Sequence, residues 1–247
     1  NELKEQAERF GTKVEIDFIS KVDFSKEKGG IHKLYTQNGD EIKSKTVIIS
    51  TGASAKYLGL ESEQRLIGGG VSACAVCDGF FYKNQDVAIV GGGDTAIEEA
   101  TYLAKICTNV TMLVRKDHFR ASKAMQNRLS NFDNIKVLFN HEVEEVIGEN
   151  VVDGLKIKNN LTNDVSELKI TGLFIAIGHS PNTDIFKGLV DMDDSGYILT
   201  DKTSTKTNIP GVFAAGDVQD KDYRQAVTAA GTGCMAALDA ERYLQEV

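Results

Sequence analysis

The sequence predicts an α/β fold in which one nucleotide-binding unit occurs twice. A short apolar strand, "DVAIV", runs into three glycines and then into an amphipathic helix. Two apolar runs, ending at Thr51-Gly52 and Ile177-Gly178, look like copies of one element. With 247 residues, 41% of them hydrophobic, the chain can form one large α/β unit or two smaller domains.

Each element is predicted by its own pattern. The amino end, "NELKEQAERF", predicts a charged helix. Strands are predicted in "KVEIDFIS", "KVDFS", "GIHKLYTQNGDEIKSK" and "TVIISTGAS". The second copy begins with the strand "DVAIVGGG", the helix "DTAIEEATYLAKI" and the strand "NVTMLVRK". Further strands follow in "IKVLFN", "HEVEEVIG", "VDGLKIKN", "VSELKI", "GLFIAIGHSPNT" and "IPGVFAAGDV", and "YRQAVTAAGTGCMAALDAERYL" predicts a long helix with a small-residue face.

Composition excludes several classes of function. A formal net charge of −8 argues against binding to nucleic acid, because phosphate recognition needs clustered Lys and Arg. No run approaches the roughly 20 apolar residues that span a bilayer, and the amino end does not resemble a signal peptide. We therefore expect no membrane association and a cytoplasmic location.

The glycine motif predicts a dinucleotide site. Gly91, Gly93 and Ala96 match the G-x-G-x-x-G/A pattern, with Gly92 inside it. Gly91 permits a tight turn, Gly93 lets the backbone approach a pyrophosphate, and the amino end of the helix attracts negative charge. Asp94 or Thr95 is available to cap that helix. The motif occurs once in the sequence, between a strand and a helix, which is the context expected of a dinucleotide site.

Basic residues after the second strand favour NADPH over NADH. An NAD site usually has Asp or Glu at this point, which would repel a 2′-phosphate. The sequence instead has Arg115, Lys116 and Arg120, and an arginine can donate two hydrogen bonds to a phosphate. A solvated basic loop is the alternative. His118, in the same loop, is expected to be a surface residue.

Two cysteines stand at the spacing of a redox pair. Cys74 and Cys77 can close a small disulfide ring, although spacing alone supports redox chemistry only moderately. A zinc site would need a second such pair or two suitably spaced histidines, which the sequence lacks, so we expect no metal. Cys107 and Cys234 are expected to be buried small hydrophobic residues.

The combination of motifs resembles the bacterial low-molecular-weight thioredoxin reductases. "SACAVCDGFF", "VAIVGGGDTA", "VRKDHFRA", "AIGHSPNT", "GVFAAGDV" and "YRQAVTAAGTGCMAALDAERYL" occur in that family in this order. The resemblance covers essentially the whole chain. The family's amino-terminal FAD-binding glycine motif has no counterpart here, so we expect the sequence to begin inside its first nucleotide-binding unit.

The resemblance implies two Rossmann-like domains: a discontinuous FAD-binding domain, truncated at its amino end, and an NADPH-binding domain inserted into it. The expected boundaries are 1–55 and 179–247 for the FAD domain and 56–178 for the NADPH and redox-disulfide domain. Asp217 would hydrogen-bond the flavin ribitol, or instead cap the helix that follows. The other cofactor-binding positions that the resemblance implies are Thr51, Gly52, Ala53, Ile177, Gly178, Gly216, Arg224, Gln225 and Ala226.

The resemblance also implies a reaction. Electrons would pass from NADPH to FAD, then to the Cys74–Cys77 disulfide, and then to thioredoxin, and the enzyme would be a homodimer. Asp78 would act as a general acid beside the cysteines, because desolvation raises a carboxyl pKa, although "DG" also fits a simple turn. The alternatives are the NADH-dependent flavoprotein subunit of an alkyl hydroperoxide reductase system and an inactive NADP-binding fragment without flavin.

Overall fold

The computed structural model describes residues 2–247 and has the predicted α/β architecture. The helices are α1 Glu2–Arg9, α2 Glu61–Arg65, α3 Ala75–Asp78, α4 Asp94–Leu103, α5 Lys123–Leu129 and α6 Ala226–Gln245. The strands are β1 Ile19–Asp23, β2 His32–Thr36, β3 Glu41–Ser44, β4 Val47–Ile49, β5 Ala53–Ala55, β6 Val71–Ser72, β7 Asp86–Val90, β8 Asn109–Val114, β9 Ile135–Phe139, β10 His141–Ile147, β11 Gly154–Asn159, β12 Val165–Leu168, β13 Gly172–Ile175, β14 His179–Pro181 and β15 Val212–Ala214.

The chain divides into two compact units. Ala55–His179 forms the inner unit, and the segment ending at Ser54 forms the outer unit together with Ser180–Val247. No helix within residues 2–247 has the length and apolar character needed to cross a bilayer. Within the same residues, no three His, Cys, Asp or Glu side chains converge in a way that would hold a metal ion.

The inner unit is built on a five-stranded sheet in the order β6-β13-β7-β8-β9. All its strand pairs are parallel. β7, α4 and β8 form the βαβ unit that the glycine motif predicts, because the helix connects two neighbouring parallel strands. A second, antiparallel sheet has the order β10-β11-β12.

Both faces of the parallel sheet are buried. Val87 and Ile89 of β7 pack against α4, whereas Ala88 and Val90 of the same strand pack against the antiparallel sheet. This alternation explains why β7 is apolar at consecutive positions, as strands covered on both faces are. The sheet is therefore held rigidly between a helical layer and a β layer.

The outer unit contains smaller sheets. β1, β2 and β3 form an antiparallel sheet, β4 pairs with β15 in parallel, and β5 pairs with β14. The helix α6 packs on β15 through small residues: Ala236 and Ala240 contact Phe213 and Ala215 in one buried cluster. The predicted small-residue face therefore exists over part of this helix.

Three local predictions are wrong or incomplete. "KVEIDFIS" contributes only its last two residues to a strand, because β1 begins at Ile19. The helix α6 begins at Ala226 rather than Tyr223, because Arg224 has a φ of 48° and Gln225 is the N-cap. Cys107 is buried as predicted, but Cys234 is exposed. The buried face of α6 includes Ala236 and Ala240, and Cys234 lies two residues from the first of these, on the opposite side of the helix.

His32 is a buried titratable group in the outer unit. It is 0% exposed, and its Nδ1 accepts a hydrogen bond of 3.2 Å from the backbone N–H of Ser25. Its ring packs edge-on against Phe24 with the centroids 5.6 Å apart. Burial lowers the pKa of His32, and the backbone carbonyl of Pro210 opposes this shift. The folded state therefore favours the neutral ring.

The stability of the outer unit is expected to depend on pH through His32. Because the folded pKa is lowered, the stabilisation is fully present above the unfolded pKa of about 6.5 and is lost as the pH falls towards the folded pKa. We expect His32→Gln to reduce this pH dependence in urea unfolding. His118→Gln, an exposed change in the inner unit, should leave it unaltered. If His32→Gln loses stability in acid as steeply as the wild-type chain, His32 is not the source of the pH dependence.

Candidate functional site

The predicted dinucleotide site lies where the order of the parallel sheet changes direction. β8 and β9 extend from one side of β7, and β13 lies on its other side. Ligands of open α/β sheets bind at the carboxyl ends of the strands at such a switch point. The Gly91–Gly93 turn follows β7, and Ile177 and Gly178 follow β13 after one further residue.

Gly91 occupies the tightest position of this turn. It has a φ of 150°, and a Cβ added there would lie 2.3 Å from the carbonyl oxygen of Ala176 and 2.7 Å from the Cβ of Ala96. Its N–H donates to the carbonyl oxygen of Leu113 at 3.1 Å. Only glycine fits, because this backbone has neighbours on three sides.

The amino end of α4 is open. Gly93 is the N-cap residue. Among residues 2–247, no side chain forms a capping hydrogen bond there and no atom lies within 4 Å of an added Cβ. The prediction that Asp94 or Thr95 caps this helix is therefore wrong. Asp94 instead accepts a hydrogen bond of 2.7 Å from the N–H of Ser122. The uncapped first turn and the space beside Gly93 fit a pyrophosphate, which accepts hydrogen bonds from such N–H groups.

The basic loop is attached directly to the glycine turn. The N–H groups of Arg120 and Ala121 both donate to the carbonyl oxygen of Gly92, at 2.8 and 3.1 Å. The side chains of Arg115, Lys116 and Arg120 are exposed. None of the three cations forms a salt bridge with another residue of the described chain, so their charges remain available to an anionic ligand.

His118 lies on the surface of this loop, as expected. Its Nδ1 is 2.6 Å from an oxygen of Asp117, and the hydrogen bond from His118 is the main cause that lowers the pKa of Asp117. Asp117 is the acidic residue of this loop. Its pairing with His118 therefore directs the carboxylate to a neighbour in sequence rather than to the three cations.

Cys74 and Cys77 form a disulfide at one end of α3. Cys74 is the N-cap residue of this short helix, and its sulfur accepts a hydrogen bond of 3.2 Å from the N–H of Cys77. Cys77 is exposed, whereas Cys74 is half-buried. Cys107 lies elsewhere in the inner unit, and burial raises the pKa of its thiol to about 11, so it stays a protonated, poor nucleophile near neutral pH.

Asp78 follows the disulfide, and its carboxylate is hydrogen-bonded to Ser72, a residue for which the sequence predicted no role. The hydroxyl of Ser72 donates to Asp78 Oδ2 at 2.6 Å, and the backbone N–H of Asp78 donates to the carbonyl oxygen of Cys74 at 3.1 Å. Ser72 and Asp78 both line a cavity of about 570 Å³. They are six positions apart in sequence, and no motif links them.

The apolar surface beside the disulfide is exposed. Phe80 is 68% exposed, Phe81 is 74% exposed, and Val76 is 56% exposed. Three large apolar side chains close to an exposed sulfur are unusual for a free surface, because burying them would be favourable. We name this group, Val76, Phe80 and Phe81, the apolar rim.

In the outer unit, Asn182 holds the strand end that the resemblance assigns to FAD. Its side-chain N–H donates to the carbonyl oxygen of Thr51 at 2.9 Å, and the Thr51 hydroxyl donates to the Asn182 carbonyl oxygen at 2.7 Å. Gly52 has a φ of 69°, and its carbonyl oxygen accepts from the Asn182 N–H at 3.0 Å. Ala53 begins β5 directly afterwards. The sequence analysis gave no role to Asn182.

Gly216 and Asp217 lie in a short 3₁₀ turn after β15. Gly216 has a φ of 75°, and its N–H donates to the Thr232 hydroxyl of α6 at 2.9 Å. Asp217 is half-buried, and its carboxylate has no hydrogen-bond or ion-pair partner within residues 2–247. A half-buried, unpaired carboxylate fits a ligand that donates from hydroxyl groups, as the FAD ribitol does.

Asp217 does not cap α6. Gln225 is the N-cap residue and forms a capping box with Thr228, and Ala226 is the first helical residue. The loop before the helix is organised by Asp220, whose carboxylate accepts from the N–H groups of Tyr223 and Arg224 at 2.9 and 3.2 Å. Burial acts to raise the pKa of Asp220, but hydrogen bonds from these backbone N–H groups outweigh it, and the pKa is lowered. The sequence analysis also missed this residue.

Comparison with known proteins gives a consistent result. The sequence model of the pyridine nucleotide-disulphide oxidoreductase family matches residues 1–233. A protein named thioredoxin reductase from Rickettsia conorii is 52% identical over 98% of this chain and 78% of its own length. One from Streptomyces coelicolor is 50% identical over 98% of this chain and 74% of its own. The solved thioredoxin reductase of Giardia duodenalis superposes with a TM-score of 0.91 at 40% identity, over 99% of this chain and 79% of its own.

Proposed function

The chain belongs to the thioredoxin reductases of the pyridine nucleotide-disulphide oxidoreductase family, and we propose the roles of its residues in that reaction. The observation that carries the proposal is the Cys74–Cys77 disulfide, exposed at Cys77 and followed by Asp78. NADPH and FAD, the cofactors of this family, supply the electron pair that opens this disulfide. The resulting dithiol reduces the disulfide of thioredoxin.

The inner unit corresponds to the proposed NADPH-binding and redox-disulfide domain, 56–178, and the outer unit corresponds to the proposed FAD-binding domain, 1–55 and 179–247, of which residue 1 lies outside the described residues. Support for NADPH comes from the uncapped amino end of α4 and the three unpaired cations attached to the glycine turn. The residues proposed to hold it are Gly91, Gly92, Gly93, Asp94, Thr95, Arg115, Lys116, Arg120, Ile177 and Gly178. Unpaired Asp217 supports FAD binding in the outer unit. The residues proposed to hold FAD are Thr51, Gly52, Ala53, Gly216, Asp217, Arg224, Gln225 and Ala226.

Cys74 and Cys77 exchange electrons with thioredoxin in two steps. One cysteine sulfur, as thiolate, attacks a sulfur of the thioredoxin disulfide, so that a mixed disulfide forms and a thioredoxin thiolate leaves. The second cysteine then attacks the mixed disulfide, which closes Cys74–Cys77 and releases the other thioredoxin sulfur. Two electrons and two protons pass to thioredoxin. We propose that Asp78 holds one of these protons during the exchange.

The apolar rim is proposed as the thioredoxin contact. The three side chains lie within seven residues of each other and flank the exposed Cys77. A partner whose own disulfide is surrounded by apolar residues would bury them as the sulfurs meet, which brings the two disulfides together. An apolar contact area of this kind suits a protein partner, and the assay below distinguishes thioredoxin from a peroxidase.

The reductase reaction is tested with the purified 247-residue chain, FAD, NADPH and oxidised thioredoxin. We expect one NADPH to be oxidised for each thioredoxin disulfide reduced. NADPH oxidation without new thioredoxin thiols, or only with the peroxidase of an alkyl hydroperoxide reductase system, would refute the proposal.

A homodimer and a cytoplasmic location are also proposed. The homodimer is supported by apolar side chains exposed on α6, such as Val227 and Leu238, and a reducing compartment by the unpaired Cys107 and Cys234.

Removing charge from the basic loop is expected to weaken NADPH binding selectively. In Arg120→Gln the 2′-phosphate loses a charge-assisted hydrogen bond, so the Kd for NADPH should rise about 10- to 100-fold. The Kd for NADH, which has no 2′-phosphate, should change by less than about twofold. Calorimetric titration of both nucleotides measures this difference.

Arg128→Gln is the matched control, because Arg128 is an exposed cation in the last turn of α5 and not in the basic loop. It should leave both dissociation constants unchanged. If Arg120→Gln weakens NADPH and NADH equally, the loop does not read the 2′-phosphate.

A further inference from the structure

We propose that Ser72 is a positioning residue for Asp78, with a hydroxyl that reverses its hydrogen bond as Asp78 gains and loses a proton. This inference rests on the proposed function, because it concerns how the Cys74–Cys77 pair exchanges protons with a thioredoxin disulfide. It adds a residue from β6 to a site otherwise formed by α3.

Ser72 is enclosed and fully engaged. It ends β6 in the interior of the inner unit and is 8% exposed. Its Oγ lies 2.6 Å from Asp78 Oδ2, accepts from the backbone N–H of Cys74 at 3.1 Å, and lies 3.4 Å from the carbonyl oxygen of Cys74. The same hydroxyl therefore contacts the carboxyl group and the backbone of the first redox cysteine.

The hydrogen-bond directions follow from the donors available. The N–H of Cys74 can only donate, so Ser72 Oγ accepts from it in every state. While Asp78 is ionised, its carboxylate can only accept, so the Ser72 O–H points to Asp78. When Asp78 is protonated, its O–H can donate to the remaining lone pair of Ser72 Oγ. The Ser72 O–H is then free to turn to the carbonyl oxygen of Cys74.

Both charge states of Asp78 are thus satisfied without moving any heavy atom. A side chain that only donated would favour the carboxylate, and an apolar side chain would leave a half-buried carboxyl with one partner fewer. A serine hydroxyl at this position lets Asp78 hold and release a proton at low cost. The arrangement suits a group that changes protonation state in every catalytic cycle.

Ser72 and Asp78 line a cavity through which water can reach them. Its volume of about 570 Å³ is enough for several water molecules, and its wall includes Ser72, Asp78 and Tyr82. Burial, and secondarily the charge of Asp78, raise the pKa of Tyr82, so its phenol remains a hydrogen-bond donor. The Tyr82 phenol and the space for water therefore provide hydrogen-bonding partners beside Ser72 and Asp78.

The proton balance assigns Asp78 a defined task. In the first exchange the attacking cysteine gives its proton to the Asp78 carboxylate, and its sulfur bonds to one thioredoxin sulfur while the thioredoxin disulfide breaks. The leaving thioredoxin sulfur takes that proton from Asp78. In the second exchange the other cysteine closes the enzyme disulfide, and its proton goes to the second thioredoxin sulfur.

The test needs neither FAD nor NADPH. The full chain is reduced with dithiothreitol, desalted, and mixed with oxidised thioredoxin, and the rate is followed across pH. We expect Ser72→Ala to slow the exchange about tenfold and to displace its pH profile, because Asp78 loses its positioning partner. Ser72→Thr keeps the hydroxyl and should restore both the rate and the profile to near wild type.

Asp78→Asn provides the decisive comparison. If Ser72 acts through Asp78, Ser72→Ala should cause no further slowing in the Asp78→Asn background, and equal slowing in both backgrounds would overturn the proposal. Ser72→Thr should restore the exchange rate. If Ser72→Thr is folded, as judged by circular dichroism, and still fails to restore the rate, the proposal is also overturned. A small aliphatic disulfide reagent serves as a second substrate, because its leaving thiolate, like that of thioredoxin, needs a proton. Failure of the wild-type chain on thioredoxin alone would refute the proposed function, while the Ser72 effect would still be read on the reagent.

Discussion

Replacing either cysteine of the pair by serine is expected to abolish turnover of thioredoxin, with a loss of at least about 10³-fold. The loss is large because each sulfur has its own bond to make. With a single cysteine, the exchange stops at the mixed disulfide, since no second sulfur can close Cys74–Cys77. Binding of NADPH should be unchanged. The glycine turn proposed to bind NADPH lies between β7 and α4, whereas the cysteines lie at and within α3.

The two single variants should differ in how quickly they trap thioredoxin. Cys74→Ser leaves the exposed Cys77, so a mixed disulfide should form quickly. Cys77→Ser leaves the half-buried Cys74, whose sulfur is less accessible to a partner disulfide, so trapping should be slower. Non-reducing electrophoresis of the reduced variants with oxidised thioredoxin measures both rates.

Cys234 requires its own control, because it is a free and exposed thiol. All variants should carry Cys234→Ser, which by itself should not change turnover. In that background the double variant Cys74→Ser, Cys77→Ser should form no mixed disulfide. If it traps thioredoxin as fast as the single variants, the Cys74–Cys77 pair is not the point of attack.

The elements of the inner unit could be predicted because their signals are local. β7, α4 and β8 each have apolar residues at the regular spacing of a strand or a helix. A glycine-rich turn between such a strand and helix is typical of a dinucleotide site. The redox pair and the basic loop were also found from neighbouring residues. The cap of α4 was predicted wrongly because Asp94 is engaged by Ser122, 28 residues away along the chain.

The functional residues that could not be predicted are polar partners that no local sequence pattern marks. Asn182 contacts Thr51 over 131 positions, and no local pattern marks either residue as a partner of the other. Ser72 and Asp78 are close in sequence, but a strand end and a helix end meet there only after folding. Asp220 acts as a turn residue among several aspartates, and the sequence offers no reason to select it. Polar partners of this kind become visible only once the backbone is placed.

Substituting alanine for Gly91 is expected to lower the free energy of unfolding of the inner unit by about 2–6 kcal/mol. Backbone strain at a φ of 150° contributes about 1–3 kcal/mol of this, and overpacking contributes a similar amount. The added Cβ would lie 2.3 Å from the Ala176 carbonyl oxygen, which belongs to the neighbouring strand end and cannot move without disturbing the sheet. Urea unfolding measures the loss.

Gly93→Ala is the matched control, two residues further on, and it should have the reverse pattern. None of the described residues has an atom within 4 Å of a Cβ added at Gly93, and the φ of −94° suits alanine. The free energy of unfolding should therefore change by at most about 1 kcal/mol. The methyl group would instead occupy the space where a pyrophosphate approaches the amino end of α4. The Kd for NADPH should therefore rise about tenfold or more, while the chain stays folded.

The pair of variants separates two constraints that the glycine motif combines. At Gly91 the constraint comes from the protein's own neighbouring strand and exists without a ligand, so it is visible in stability. At Gly93 none of the residues that the structure describes excludes a side chain, so a constraint is expected only from a bound ligand. Unaltered NADPH affinity in Gly93→Ala would place the pyrophosphate elsewhere, and unaltered stability in Gly91→Ala would mean that the contact with Ala176 relaxes. A stable Gly93→Ala chain that binds nucleotide poorly would identify this turn as the dinucleotide site from the protein side alone.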